Sequence, residues 1–88
     1  MNPVHIYSVE QYAKIKGGFV HYEASNHTYT ITLNPAIQGA VFSVAAIQEI
    51  ASKRRSNALM KAIYKCVGNM QLASVVQQFA QERYRVQG

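Results

Sequence analysis

Lys53, Arg54, Arg55, Lys61 and Lys65 fall in one run, ASKRRSNALMKAIYK, that contains no acid. Cations at this density are suited to neutralising phosphate oxygens or carboxylates. Arginine does so through a planar two-pronged fork, lysine as a mobile point charge. The same run holds Asn57 and Tyr64. Asparagine can pair with an adenine edge, lysine with guanine or phosphate, and a tyrosine hydroxyl with phosphate. Lys53, Arg54, Arg55, Asn57, Lys61, Tyr64 and Lys65 therefore make a candidate nucleic-acid-binding set. An acidic protein would offer the same cations a target, and a merely solvated helix face would need none.

Other chemistry finds little purchase. The glutamates at 10, 23, 49 and 82 show no pairing by spacing, so no general acid–base pair is expected. Cys66 sits on an apolar stripe and reads as a small buried hydrophobe, not a nucleophile. Strand pleating sends His21 and His27 to opposite sides, and His5 is distant, so no metal site or cofactor is expected. A metal-independent ribonuclease using His21 and Tyr29 is the least remote enzyme, but these residue types are common everywhere. The expectation is no enzyme.

The charge is lopsided. Net charge is +5 over 88 residues, and the chain has no aspartate. In residues 1–43, Lys14 and Lys16 balance Glu10 and Glu23. In residues 44–88, Lys53, Arg54, Arg55, Lys61, Lys65, Arg83 and Arg85 face only Glu49 and Glu82, so the whole excess lies there. The length fits one domain, and 49% hydrophobic content is enough for a core. A lone cysteine cannot form an internal disulfide, and MNPVHIYSVEQ has no apolar run resembling a signal peptide. A reducing, cytoplasmic setting without membrane contact is expected.

The elements that must position these residues can be read from periodicity. Ser8 is placed to cap a short helix, SVEQYAKIK, ended by Gly17–Gly18. GFVHYEASNHTYTITLNP alternates with period two and reads as a β-hairpin. Its register pairs Val20 with Ile31, Tyr22 with Tyr29, His21 with Thr30 and Glu23 with Thr28, about a tip at Ser25–Asn26. Pro35 stops the second strand, and AVFSV after Gly39 can add a third. The other sheet face, with Phe19, His21, Thr30 and Thr32, is expected to be covered, the first helix being the nearest lid. It would otherwise be a base-stacking surface.

Three helices follow. Val44, Ile47, Ile50 and Ala51 form one stripe; Leu59, Ala62, Ile63, Cys66 and Val67 form another. In one unbroken helix these stripes would differ by about 130°, so the chain must turn near SKRRS, with Ser56 capping the second helix. Gly68–Asn69 ends it. The third, MQLASVVQQFAQERYRV, buries Leu72, Val75, Val76, Phe79 and Ala80 and turns Ser74, Gln77, Gln78, Gln81 and Arg85 to solvent.

The expected fold is α+β in a single domain: a short helix and a small antiparallel hairpin or sheet in residues 1–43, then three packed helices in the basic residues 44–88. The layout around the corner resembles a helix-turn-helix without its sequence motif. The expected function is a small non-enzymatic nucleic-acid-binding or regulatory protein, with DNA preferred over RNA as partner. The alternative is a protein-interaction module (an inhibitor, adaptor or assembly subunit, of a size that suits mobile elements) engaging an acidic protein. Six tyrosines, at positions 7, 12, 22, 29, 64 and 84, exceed what so small a core hides, which suits a homodimer surface.

Overall fold

The computed structural model describes residues 12–84. Four strands, β1 (Ala13–Ile15), β2 (Gly18–Glu23), β3 (Thr28–Thr32) and β4 (Ala40–Ser43), precede three helices. These are α1 (Val44–Ala51), α2 (Asn57–Val67) and α3 (Met70–Arg83). The strands form one antiparallel sheet in the order β1-β2-β3-β4, and the fold is α+β as expected. The β2–β3 register is the one the alternation dictates: Val20↔Ile31, His21↔Thr30, Tyr22↔Tyr29 and Glu23↔Thr28. A slip of one residue would have turned either Val20 of β2 or Tyr29 and Ile31 of β3 out of the core, so the apolar face fixes the pairing. The tip is a four-residue turn closed by His27 at φ 54°. AVFS pairs with β3 as the fourth strand.

The helix expected over Ser8–Lys16 is corrected. Residues 8–11 lie outside the described residues, and Ala13–Ile15 is a strand paired with β2. Lys16 and Gly17 make a two-residue turn, with Gly17 at φ 74°, a left-handed conformation that glycine adopts without strain. Gly17 thus completes a hairpin turn and Gly18 opens β2, and neither is a helix stop. A helix of two turns gains few hydrogen bonds for its nucleation cost, whereas a strand finds a ready edge on β2.

Each helix opens on a side-chain cap. Ser43, Ser56 and Asn69 accept from the backbone N–H groups of Ala46, Leu59 and Leu72 at 3.0, 3.1 and 2.9 Å. Each such cap stabilises its helix by about 1 kcal/mol. Gly68, left-handed at φ 74°, closes α2 and donates to the Tyr64 carbonyl. α3 lies between the sheet and the other helices. On one side Phe79 meets the Tyr29 ring edge-on at 5.0 Å. Ile31, Ile47 and Val76, fully buried, tie sheet, α1 and α3 into one core; each such side chain contributes about 1.5–3 kcal/mol by burial.

Two assignments on the helices are corrected. Gln77, expected in solvent, is 2% exposed, because α3 is packed on both flanks and not along a single stripe. Cys66, expected in the core, is exposed, as is Ala62. α2 touches the core through Leu59 and Ile63, and the other edge of its stripe faces away. Among the described residues, no helix is long and apolar enough to cross a membrane.

Candidate nucleic-acid interface

The position of α2 follows from its sequence. Leu59 and Ile63 anchor it on α3, so residues half a turn away must face outward. At 100° per residue, Tyr64, Asn57, Lys61 and Lys65 fall within an arc of about 100° opposite that anchor. All four are exposed, Tyr64 by 42%. Lys61 and Lys65 are one turn apart, a like-charge spacing that costs an isolated helix a few tenths of a kcal/mol. A polyanion laid along this face would relieve that repulsion. Lys65 also sits in the last turn, where the helix dipole favours a cation.

The corner that precedes α2 is held by α3. Gln81 Nε2 donates to the Lys53 carbonyl at 2.9 Å and to the Ile50 carbonyl at 3.4 Å. Ser52 Oγ donates to the Glu49 carbonyl at 2.7 Å. These bonds add side-chain donors to the Glu49 and Ile50 carbonyls, which also accept from the Ser52 and Lys53 N–H groups at 3.2 Å, and to the Lys53 carbonyl just beyond α1. They fix the backbone of a turn that is exposed throughout Ser52–Ser56. The glutamine-rich flank of α3 thus acts in part as internal scaffolding.

The seven candidate residues do not all share one surface. Asn57, Lys61, Tyr64 and Lys65 do. Lys53 leans the other way, its Nζ 3.8 Å from Glu49 Oε2 on the lip of a groove between α1 and α2. Arg55 borders a different hollow, with Lys16, Gln78, Gln81 and Glu82, where Lys16 and Glu82 pair at 3.0 Å. Arg54 is exposed on the turn between them. Among the described residues, Arg54, Arg55, Lys61 and Lys65 have no ion-pair partner. The basic run is therefore a face of four residues flanked by an arginine turn.

Elsewhere, the second face of the sheet is largely closed at its β1 edge. Tyr12, 6% exposed, lays its ring 5.6 Å from that of His21, and Thr32 is 3% exposed. The segment expected to cover this face as a helix thus contributes Tyr12 from the flank of a strand. His21 Nε2 lies 3.5 Å from Glu23 Oε1. The Ser25 hydroxyl, donating to Glu23 at 2.8 Å, and then His21 hold the Glu23 carboxyl below its usual range. Among the described residues, no three His, Cys, Asp or Glu side chains converge as metal ligands would.

One surface is not anticipated by the sequence reading. Phe42, Ala46, Ile50, Leu59, Ala62, Ile63 and Cys66 line an open apolar groove of about 270 Å³ between α1 and α2. The sequence does carry a signal for it: the apolar stripe of α2 is wider than a helix touching one neighbour can bury. The tyrosines divide as so small a core requires. Tyr12 and Tyr29 are buried, Tyr22 and Tyr64 exposed, and Tyr84 half-buried, while Tyr7 lies outside the described residues. The chain matches no protein-family model, no curated protein and no solved structure.

Proposed function

We propose that this is a small, non-enzymatic nucleic-acid-binding protein of the cell interior that lays the outer face of α2 on duplex DNA. The observation that carries the reading is the clustering of Lys61, Lys65, Asn57 and Tyr64 on one exposed helix face, in a stretch with no acid between Glu49 and Glu82. α2 has eleven residues, about 16 Å of helix, and a B-DNA major groove is about 12 Å wide. A helix so exposed can enter it, with Asn57 at the helix start, where recognition helices place their base contacts. Arg54 then reaches the phosphate backbone alongside, while Lys53 and Arg55 contribute long-range attraction.

The test is fluorescence anisotropy of labelled duplex DNA, single-stranded DNA and RNA, titrated from low to physiological salt. Duplex DNA should bind best, with log affinity falling linearly in log salt. Lys61→Ala with Lys65→Ala should reduce the magnitude of that slope by about 2, one for each phosphate no longer neutralised. Binding that disappears for all three at physiological salt, or a slope unmoved in the double variant, would reject the reading.

A further inference from the structure

Three separate segments meet at the hollow that Arg55 borders. Lys16 comes from the β1–β2 turn, Arg55 from the turn before α2, and Gln78, Gln81 and Glu82 from one face of α3, where residues three and four apart are neighbours. We infer that this hollow binds a small acidic α-amino acid, with its two carboxylates on Arg55 and Lys16 and its ammonium group on Glu82. Size and charge select that class. The hollow encloses about 180 Å³, well short of the roughly 300–1,000 Å³ of sites that take drug-sized ligands. A nucleotide or a peptide strand is too large for it. Its side chains carry two positive charges and one negative. An acidic α-amino acid carries the reverse, two negative and one positive, so each charge meets its opposite. An inorganic phosphate would meet the two cations but has no cation of its own to set against Glu82.

The pair that Lys16 makes with Glu82 leaves room for this ligand. Lys16 Nζ has three N–H donors and uses one on Glu82 Oε2, and Glu82 keeps its second oxygen as an acceptor. Both side chains are more than half exposed, at 69% and 55%, so they can turn toward a ligand at little cost. Gln81 spends its Nε2 on the Lys53 and Ile50 carbonyls, which leaves Oε1 to accept from an ammonium group. Gln78, half-buried, supplies an amide that can donate to a carboxylate. Arg55 has no ion-pair partner among the described residues, and its fork matches a carboxylate through two parallel hydrogen bonds. The inference is independent of the DNA reading, because it uses none of Asn57, Lys61, Tyr64 and Lys65.

The decisive experiment is an NMR titration of the full chain, without nucleic acid, at neutral pH and fixed ionic strength. The probes are L-glutamate, L-aspartate, glutarate, L-glutamine and inorganic phosphate. L-glutamate or L-aspartate should give saturable shifts centred on Lys16, Arg55, Gln78 and Glu82. The better of the two should bind about threefold or more tighter than glutarate, which lacks the ammonium group, and than L-glutamine, which lacks the second carboxylate. Arg55→Ala should weaken that binding about tenfold by removing the two-pronged contact. Glu82→Gln should abolish the preference for L-glutamate over glutarate, an effect that a general loss of affinity would not produce. Thermal melts of both variants check that the fold is intact. The inference is overturned by the absence of saturable shifts at the hollow, by phosphate or glutarate binding as tightly as the amino acids, or by an Arg55→Ala protein that binds as before.

Discussion

The hydroxyl oxygens of Tyr29 and Tyr84 lie 2.6 Å apart, joining the middle of the sheet to the end of α3 across 55 residues of sequence. The bond answers the problem that Tyr29 creates. Its ring is 5% exposed and packs on Phe79, so a hydroxyl without a partner there would lose its hydration for nothing. Tyr84 supplies the partner and is in turn covered by the Arg83 guanidinium, 5.0 Å from its ring centre.

This pair predicts an alkaline weakness. The hydrogen bond to Tyr29, then burial, hold the Tyr84 proton above the usual phenol value of 10.0. A folded-state pKa above the unfolded one contributes stability that is complete below the unfolded value and is lost as pH rises through the folded one. Stability should therefore be flat approaching pH 10 and decline above it. Tyr29→Phe should cost about 0.5–1.5 kcal/mol at neutral pH and make the alkaline decline shallower. Urea unfolding curves across that range would measure both, and an unchanged decline in the variant would show that other groups cause it.

Gly39 predicts a sharper effect. A Cβ built there would sit 2.6 Å from the Ile31 carbonyl oxygen and 2.8 Å from Thr32 Cβ, both parts of the neighbouring strand. Backbone cannot step aside as the end of a flexible side chain can. Gly39→Ala should cost about 1–3 kcal/mol, the range for overpacking a filled site. For a domain of this size each kcal/mol lowers the melting temperature by about 4–8 °C. The same change at Gly68 meets nothing within 4 Å among the described residues, but φ of 74° penalises it through the backbone alone. The two variants should thus differ in thermal melts, Gly39→Ala being the worse.

Gln77 should behave in the opposite way. Its side chain is 2% exposed and its Oε1 has no hydrogen-bond partner among the described residues. A buried acceptor left unsatisfied costs about 1–3 kcal/mol. Replacement by leucine of similar volume should therefore be neutral or stabilising in urea unfolding, and a large loss of stability would show that the amide is satisfied in solution.

Gln77 also marks where periodicity stops being informative. The β2–β3 register is legible because one face of the hairpin is apolar and the other is not, and the α1–α2 break because two stripes cannot face one core. The caps at Ser56 and Gly68 are legible from residue type. Periodicity misplaces Gln77 because a helix packed on two flanks buries more positions than its most apolar stripe. It misassigns Ala13–Ile15 because a glycine pair can end a helix or turn a hairpin, and only the partner strand decides. For the candidate interface, the outward set on α2 follows from the positions of Leu59 and Ile63. The divergence of Lys53 and Arg55 does not, since it depends on how Gln81 pins the corner and where Glu49 and Glu82 come to lie.

That divergence separates two lysines that the sequence treats alike. Lys53 has Glu49 at 3.8 Å, whereas Lys61 has no acid partner among the described residues. A cation already balanced by a carboxylate displaces fewer counterions when it approaches a phosphate, and its own contact must compete with the existing pair. Under the DNA reading, Lys61→Ala should lower the magnitude of the salt slope by about 1, and Lys53→Ala by clearly less. Both substitutions are on exposed side chains, so the folded state should survive each, with stability changes within about 0.5 kcal/mol. Equal slopes for the two variants would mean that Lys53 leaves Glu49 on binding. The bound surface would then extend from the outer face of α2 across the lip of the groove.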